Sequence, residues 1–441
     1  MQETNHIEKQ FWRFALPSMF SQLLNSFFII VDGFFIGQNL GDPGLAAINI
    51  AWPPVAFIQA ISMAIGVGGA VRLAMDVGRG DIPSALKARG NAIMMLVGAS
   101  VILGFTLFFS YPVLLPLLGA QGELYPLAAE YIRVVSILAA CQVFTTGLLP
   151  LLRGAGHTMT AMLMMVAGLV GNIWMDWLFI HHYHWGMAGA ALATALSQGV
   201  CAFLCLPLLL IHKGWPVTRE QFRPELRRMI GILHYGMSAF GLTISTSILI
   251  LLTNLQALRY GGTEGVAVYA VLSYVLGSVI PLVSGVGDGI QPLLSNACGA
   301  GNWKAVHHLR HKGFALAVGT SLVCSLCCWT YRVQLPLLFG ASPNAAQAGA
   351  SAMWTLVLAF PFMAAVRFYC SYFCAVGLPS ASSILAYGEP LAMQPLFLFL
   401  LPLMCQLDGV WYSYPAAMIG MTAVAVWLME SHKRKQLERF A

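Results

Sequence analysis

The sequence predicts an all-α integral membrane protein of twelve transmembrane helices, arranged as two pseudo-symmetric six-helix bundles. Composition carries the first part of that expectation: of 441 residues, 58% are hydrophobic and only 9% charged. Soluble domains hold about 25% charged residues, so a soluble globular enzyme is excluded. Long apolar stretches recur from end to end, with a mean hydropathy of +0.75. They do not alternate with period two, which excludes an outer-membrane barrel. The third observation is an internal repeat at half the chain length.

Hydropathy and Gly/Pro punctuation place spans near 12–37, 45–71, 91–111, 125–150, 160–181, 187–211, 230–258, 265–294, 313–331, 348–372, 381–402 and 409–430. A bilayer needs ~20 apolar residues per helix, and some spans leave room for tilt. The first span follows a polar, mixed-charge start, MQETNHIEKQFWRF, without the layout of a signal peptide, so it is expected to be retained. The second carries Trp52-Pro53-Pro54, expected to bend it. Gly-rich loops, Gly78-Arg79-Gly80-Asp81 and Gly299-Ala300-Gly301-Asn302, follow the second and the eighth. In the eleventh, Glu389 precedes Pro390, expected to kink the helix and free backbone carbonyls. All ten cysteines fall in apolar segments, including Cys324, Cys327 and Cys328, where a small polarizable packing residue is the simpler account than a metal or redox site.

Charge sets the direction. With a cytoplasmic N-terminus, that side receives Lys9, Arg13, Arg72, Arg79, Lys87, Arg89, Arg153, Lys213, Arg219, Arg223, Arg227, Arg228, Lys304, Arg310, Lys312, Lys433, Arg434, Lys435 and Arg439, 19 of the 23 Lys and Arg. The opposite side keeps Arg259 and Arg332, while Arg133 and Arg367 lie within spans. The positive-inside rule then puts both termini in the cytoplasm, in a cell inner or plasma membrane. The net charge of +6 belongs to this topology and the anionic inner leaflet, so no nucleic-acid partner is needed.

Leu115-Pro116-Leu117-Leu118 with Gly119-Ala120 recurs as Leu335-Pro336-Leu337-Leu338 with Gly340-Ala341, about 220 residues on. Gly66-Val67-Gly68 recurs as Gly285-Val286-Gly287 at an offset of 219, and Gly154-Ala155-Gly156 has an echo at Ala375-Val376-Gly377. The expected organisation is a bundle over 1–212, a basic cytoplasmic linker over 213–229, and a second bundle over 230–441 ending in a short cytoplasmic tail. Six spans per half is even, so the halves share one orientation and face each other across a central cavity, as in secondary transporters.

Ionisable groups within spans are costly and usually face protein, water or a partner. The acids are Asp32, Asp176, Asp288 and Glu389. Asn172 and Asp176, four apart, share one helix face, and Thr194 lies among small residues that permit close packing. Asp32, Asn172, Asp176 and Thr194 make a hard-oxygen set suited to an alkali ion; the two carboxylates can instead share one proton. The residues alone leave both open, and helix packing alone remains an alternative role for Asn172 and Thr194. Asp288 sits among glycines that allow irregular backbone lining a cavity. With Gln291, Glu389 and Arg367 it forms the set of substrate or cavity candidates, an ion pair between Arg367 and an acid being the structural alternative. The histidine clusters His181, His182, His184 and His307, His308, His311 fall on opposite sides and cannot share a metal. No GxxxxGK[ST] loop is present, so drive must come from an ion gradient or a partner. An intramembrane enzyme would need a convergent nucleophile–base or metal set on one side, and none is visible, so no catalytic residue is assigned.

The segments VDGFFIGQNLGDPGLAAINIAWPP (31–54), GNIWMDWLFI (171–180), GMAGAALATALSQ (186–198) and GDGIQPLLSNACGAGN (287–302) resemble the multidrug and toxic compound extrusion (MATE) family over essentially the whole chain. The resemblance implies export of amphipathic, often cationic drugs and metabolites by antiport against Na+ or H+ through alternating access, with no other cofactor. It also implies a cation site of Asp32, Asn172, Asp176 and Thr194, which would hold the metal ion if Na+ is used. Some family members carry acids in helices 7 and 10; here helix 7 has none and helix 10 offers Arg367. The expected partners are small amphipathic molecules and membrane lipids, and a single chain can suffice. A lipid or lipid-linked saccharide flippase of the same superfamily is the alternative, disfavoured because only Arg133 and Arg367 lie within spans to meet phosphates.

Overall fold

The computed structural model describes residues 2–211, 215–335 and 343–440. Lys213 and the second Leu-Pro-Leu-Leu copy beyond Leu335 therefore lie outside the described residues, as do the side chains of Lys433, Arg434, Lys435 and Arg439. Among the described residues the chain is helical almost throughout. The spans are α1 (Ile7–Gly41), α2 (Pro43–Gly78), α3 (Ile82–Leu117), α4 (Leu124–Ile137 and Ala139–Gly154, bent by 62°), α5 (Thr158–His182) and α6 (Gly186–Leu210). Then follow α7 (Leu226–Gly262), α8 (Glu264–Gly299), α9 (Trp303–Thr330), α10 (Pro343–Ala375), α11 (Pro379–Leu400) and α12 (Pro402–His432).

Several helices outrun the expected spans, α7 reaching 37 residues, or ~55 Å at 1.5 Å per residue. Hydropathy marks only the part in hydrocarbon, whereas capping groups mark the true ends. Asp81 Oδ1 accepts from the Ser84 amide at 3.0 Å before α3, and Asn302 Oδ1 accepts from the Ala305 amide at 3.0 Å before α9. The polar, histidine-bearing start of α9 is thereby helical ten residues earlier than its apolar stretch announces. The break between α1 and α2 falls at Gly41 (φ 64°, ψ −158°), in a region open essentially to glycine, while Pro53 and Pro54 stay within regular helix. Gly262 (φ 59°, ψ −151°) makes the same break between α7 and α8.

These breaks are 221 residues apart, and so are the left-handed turn glycines Gly80 and Gly301, and Gly156 and Gly377. Buried apolar side chains form one large cluster drawn mainly from 36–209 and another drawn mainly from 257–429. At the basic end the halves interlock: Phe11 and Ala15 of α1 pack in the second cluster, and Ile232 of α7 in the first.

Glycines seal that end. A Cβ on Gly78 would lie 2.0 Å from the Asn296 carbonyl oxygen, and one on Gly299 would lie 2.1 Å from that of Met75. These reciprocal contacts, 221 apart, mark where a pseudo-two-fold passes between α2 and α8. A Cβ on Gly68 would meet the Ile232 carbonyl oxygen at 1.9 Å, where α2 crosses α7; Gly289 meets Phe14 at 2.7 Å where α8 crosses α1. The crossings pair Gly68 with Gly289 rather than with Gly287, so this part of the repeat runs at 221 and not 219. The backbone of α8 is regular around Asp288, correcting the expectation of irregular backbone there: its glycines serve close helix approach instead.

The segment between the halves is docked on α3. Arg89, fully buried, donates to the Leu209 carbonyl at 3.0 Å and to Gln221 Oε1 at 2.7 Å, placing a cation at the C-terminal end of α6. Asn91 donates to the Arg223 carbonyl at 3.1 Å and accepts from the Glu225 amide at 2.9 Å.

Candidate functional site

In the first half, α1, α5 and α6 deliver the four expected residues into one buried region. Asp32 is 8% exposed, and Asn172 and Asp176 are completely enclosed. Thr194 Oγ1 donates to Asp32 Oδ1 across 3.5 Å, a long contact at the outer limit of a hydrogen bond. The Asn172 amide faces the Asp176 carboxyl, and Asp32 and Asp176 lie within electrostatic reach of each other. Neither Asn172 nor Asp176 has a geometrically complete side-chain hydrogen bond among the described residues. Among the described residues, no Lys or Arg is among the groups that act on either acid. Their closeness follows from local sequence: Gly189, Ala190, Ala191 and Ala193 are small enough to bring α6 against its neighbours. A π-helical turn, Trp177–His182, begins directly after Asp176, and such turns often mark functional positions.

In the second half, Glu389 (1% exposed) and Arg367 (5% exposed) face each other. Arg367 Nη2 lies 3.3 Å from Glu389 Oε1 and 3.1 Å from Oε2. This is an internal ion pair, and Glu389 opens the π-helical turn Glu389–Met393 where Pro390 removes a backbone donor. A charge matched inside its own half is not free to bind a cation without leaving Arg367 stranded.

Asp288 is different. Its Oδ2 accepts from Gln22 Nε2 of α1 at 2.8 Å, and its Oδ1 from Ser371 Oγ of α10 at 3.4 Å. Arg153, at the end of α4, acts on it electrostatically and donates to Ser18 Oγ at 3.3 Å. Gln291, one turn further along α8, is 8% exposed.

Outside the spans, the basic end carries its own charge network. Lys87 and Arg228 stand 2.9 and 3.0 Å from Glu225 and hold its carboxyl below the usual carboxylate range. The cap hydrogen bonds from Ser84 lower Asp81 in the same way. Among the described residues, no group of three or more His, Cys, Asp and Glu side chains is arranged to hold a metal ion.

The MatE family profile matches residues 17–178 and 239–387, covering both halves and three of the four intramembrane acids, Asp32, Asp176 and Asp288. The chain belongs to the MatE family. It is 27% identical over 298 residues to the "Multidrug export protein MepA" of Staphylococcus saprophyticus, an alignment covering 66% of this chain and 65% of that protein. Against the "Probable multidrug resistance protein YpnP" of Bacillus subtilis it is 24% identical over 359 residues, 81% of this chain and 80% of that one. A solved "outward-facing conformation of a multidrug resistance MATE family transporter" superposes with a TM-score of 0.91 at 25% identity, covering 98% of this chain and 97% of that one. A MOP superfamily transporter from Pyrococcus furiosus superposes with a TM-score of 0.88 at 26% identity, over 96% and 95% of the two chains. Its description reads "Reverse polarity of binding pocket suggests different function". With twelve apolar spans among the described residues, counting the bent pair as one, this MatE chain is a multi-pass membrane protein.

Sequence reasoning missed three parts of the MatE site region. Tyr131 of α4 is 2% exposed and lies within electrostatic reach of both Asp32 and Asp176. Its signal was helical spacing, since Ala128, Ile132 and Val135 mark the buried face of α4. Gln22 had no signal, being one amide in an amphipathic stretch. Arg153, counted with the solvated basic-end cations, is buried at 9% exposure, and Arg310 at 7%. Arg153 lies in the last turn of α4 and Arg310 two turns into α9, each on a buried helix face.

Proposed function

We propose that this chain is a cation-coupled antiporter that exports amphipathic, often cationic drugs or metabolites by alternating access, exchanging them for Na+ or H+. The observation that carries the proposal is the enclosed pair Asp32 and Asp176, two carboxylates without a basic partner. Burying two negative charges in low dielectric is prohibitive unless a cation neutralises them. A proton on one carboxyl does so, and so does an alkali ion ligated by both together with the Asn172 and Thr194 oxygens. Either way the set binds the coupling ion, and binding there favours whichever conformation encloses it. The basic end is taken as cytoplasmic, with both termini there and the chain in the cell inner or plasma membrane. A single chain holds the whole set, so a monomer suffices. The named relatives are described as a multidrug export protein and a probable multidrug resistance protein, which supports drug-like cargo for this chain. Against the flippase alternative, the buried cation Arg367 is paired with Glu389 of the chain itself.

The test is dye efflux from proteoliposomes under an imposed inward Na+ gradient or an imposed inward pH gradient. Efflux under one gradient, abolished by Asp176→Asn, is the expected result and names the ion. Correctly inserted protein that moves no dye under either gradient would sink the proposal.

A further inference from the structure

Of the four intramembrane acids, Asp288 is the one whose neighbours span the two halves. Among the described residues, the groups that act on Asp32 and Asp176 come from α1, α4, α5 and α6, and Glu389 pairs with Arg367 of its own half. Asp288 belongs to α8, yet its shortest hydrogen bond comes from Gln22 of α1. The cation in its field, Arg153, sits on α4. From its own half Ser371 donates to it at 3.4 Å, and Cys370 and Cys374 of the same helix lie in its field. This polar cluster lies at the glycine crossing of α1 and α8, where Gly285 approaches Met19 and Gly289 approaches Phe14 at 2.7 Å. Moving the halves apart at the cytoplasmic end therefore strips the Asp288 carboxylate of Gln22 and Arg153 together. A carboxylate in a low-dielectric interior holds such partners strongly.

We propose that Asp288 is the latch of the cytoplasmic seam, and that a cationic substrate opens the seam by taking the Asp288 carboxylate from Gln22 and Arg153. The open form leaves the carboxylate under-partnered, so a lipophilic cation binds it better there than in the closed form. That difference in affinity is what shifts the population. The inference rests on the antiporter reading for the identity of the traveller; the latch itself requires only the geometry.

The seam contains a native reporter. Cys374 of α10 is 1% exposed, its thiol donates to the Tyr235 carbonyl at 3.2 Å, and it packs with Val67, Val71 and Met75 of α2. Separation of the halves uncovers it. The experiment is labelling by a membrane-impermeant maleimide from the cytoplasmic side of inside-out vesicles, resolved at Cys374 by peptide mass spectrometry, with no ion gradient imposed. Wild type is expected to label slowly and to speed up roughly tenfold with tetraphenylphosphonium, the shift that one lost charge-assisted hydrogen bond corresponds to. Asp288→Ala should label fast at rest and gain nothing from tetraphenylphosphonium. Gln22→Ala, which frees the carboxylate without removing it, should label faster at rest and respond further to the cation.

Asp288→Ala labelling as slowly as wild type, or responding to tetraphenylphosphonium by the same factor, overturns the proposal. If Asp288→Ala does not reach the membrane, Gln22→Ala decides, and resting labelling equal to wild type overturns it. Since no gradient is used, loss of gradient-driven efflux in the wild type with this labelling pattern intact would remove the antiporter reading and leave the latch standing.

Discussion

At the scale of single residues, burial without a partner separates the acids by role. Asp32→Asn and Asp176→Asn each remove one of the two enclosed charges, so gradient-driven dye efflux is expected to vanish while the protein remains folded in the membrane. Thr194→Ala removes only a 3.5 Å contact to Asp32 and should weaken ion affinity by about tenfold or less, in keeping with a neutral hydrogen bond. Initial efflux rates across ion concentrations check both. Arg367 and Glu389 make the opposite prediction. Arg367→Met strands a buried carboxylate and should destabilise the chain by about 3–5 kcal/mol. Adding Glu389→Gln should recover most of that loss, because the pair matches itself rather than a ligand; detergent thermal unfolding of the single and double variants measures the difference. Asp32 and Asp176 were legible as rare charges in apolar helices, and Asn172 by its spacing of four. Tyr131 and Gln22 were not, because one tyrosine or amide among many carries no hydropathy signal and is singled out only by what packs against it.

Helices were legible through their apolar lengths, and their ends through caps and glycines only once the tertiary structure placed those groups. Gly41 and Gly262 end α1 and α7 by adopting positive φ, a property that hydropathy does not register. The more conspicuous Pro53 and Pro54 stay inside α2, whose helix continues across them. The docked segment before α7 has its own pH dependence. Lys87 and Arg228 depress the Glu225 carboxyl, so its contribution is complete above the ordinary carboxylate range and is lost as the pH falls through the lowered value. Amide protection over 219–228, taken relative to the intrinsic exchange rate at each pH, should therefore fall in acid, and Glu225→Gln should abolish that acid dependence; equal protection of the wild type at pH 6 and pH 3.5 would refute it.

For the whole molecule, the decisive contacts are backbone to backbone. Gly68→Ala places a methyl group 1.9 Å from the Ile232 carbonyl oxygen, so the seam at the basic end cannot close without α2 and α7 moving apart. Maleimide labelling of Cys374 should rise in this variant with no substrate present, and labelling at the wild-type rate would show that the crossing is not the closure point. The repeat illustrates the division between what the chain states and what packing adds. Its presence was visible in short echoes, but the register of 221 emerged from turn glycines and reciprocal crossings, since loop and apolar residues vary freely while contact geometry does not. By itself, the sequence determined the membrane class, the twelve spans, their orientation bias and the acids that have to be neutralised, because hydrocarbon penalises every polar group it receives. Which acid is matched internally, which two are enclosed together and which has neighbours from both halves was decided only by tertiary structure. A carboxylate's role depends on the nearest opposite charge, and for Asp288 and Arg153 that neighbour lies more than a hundred residues away along the chain.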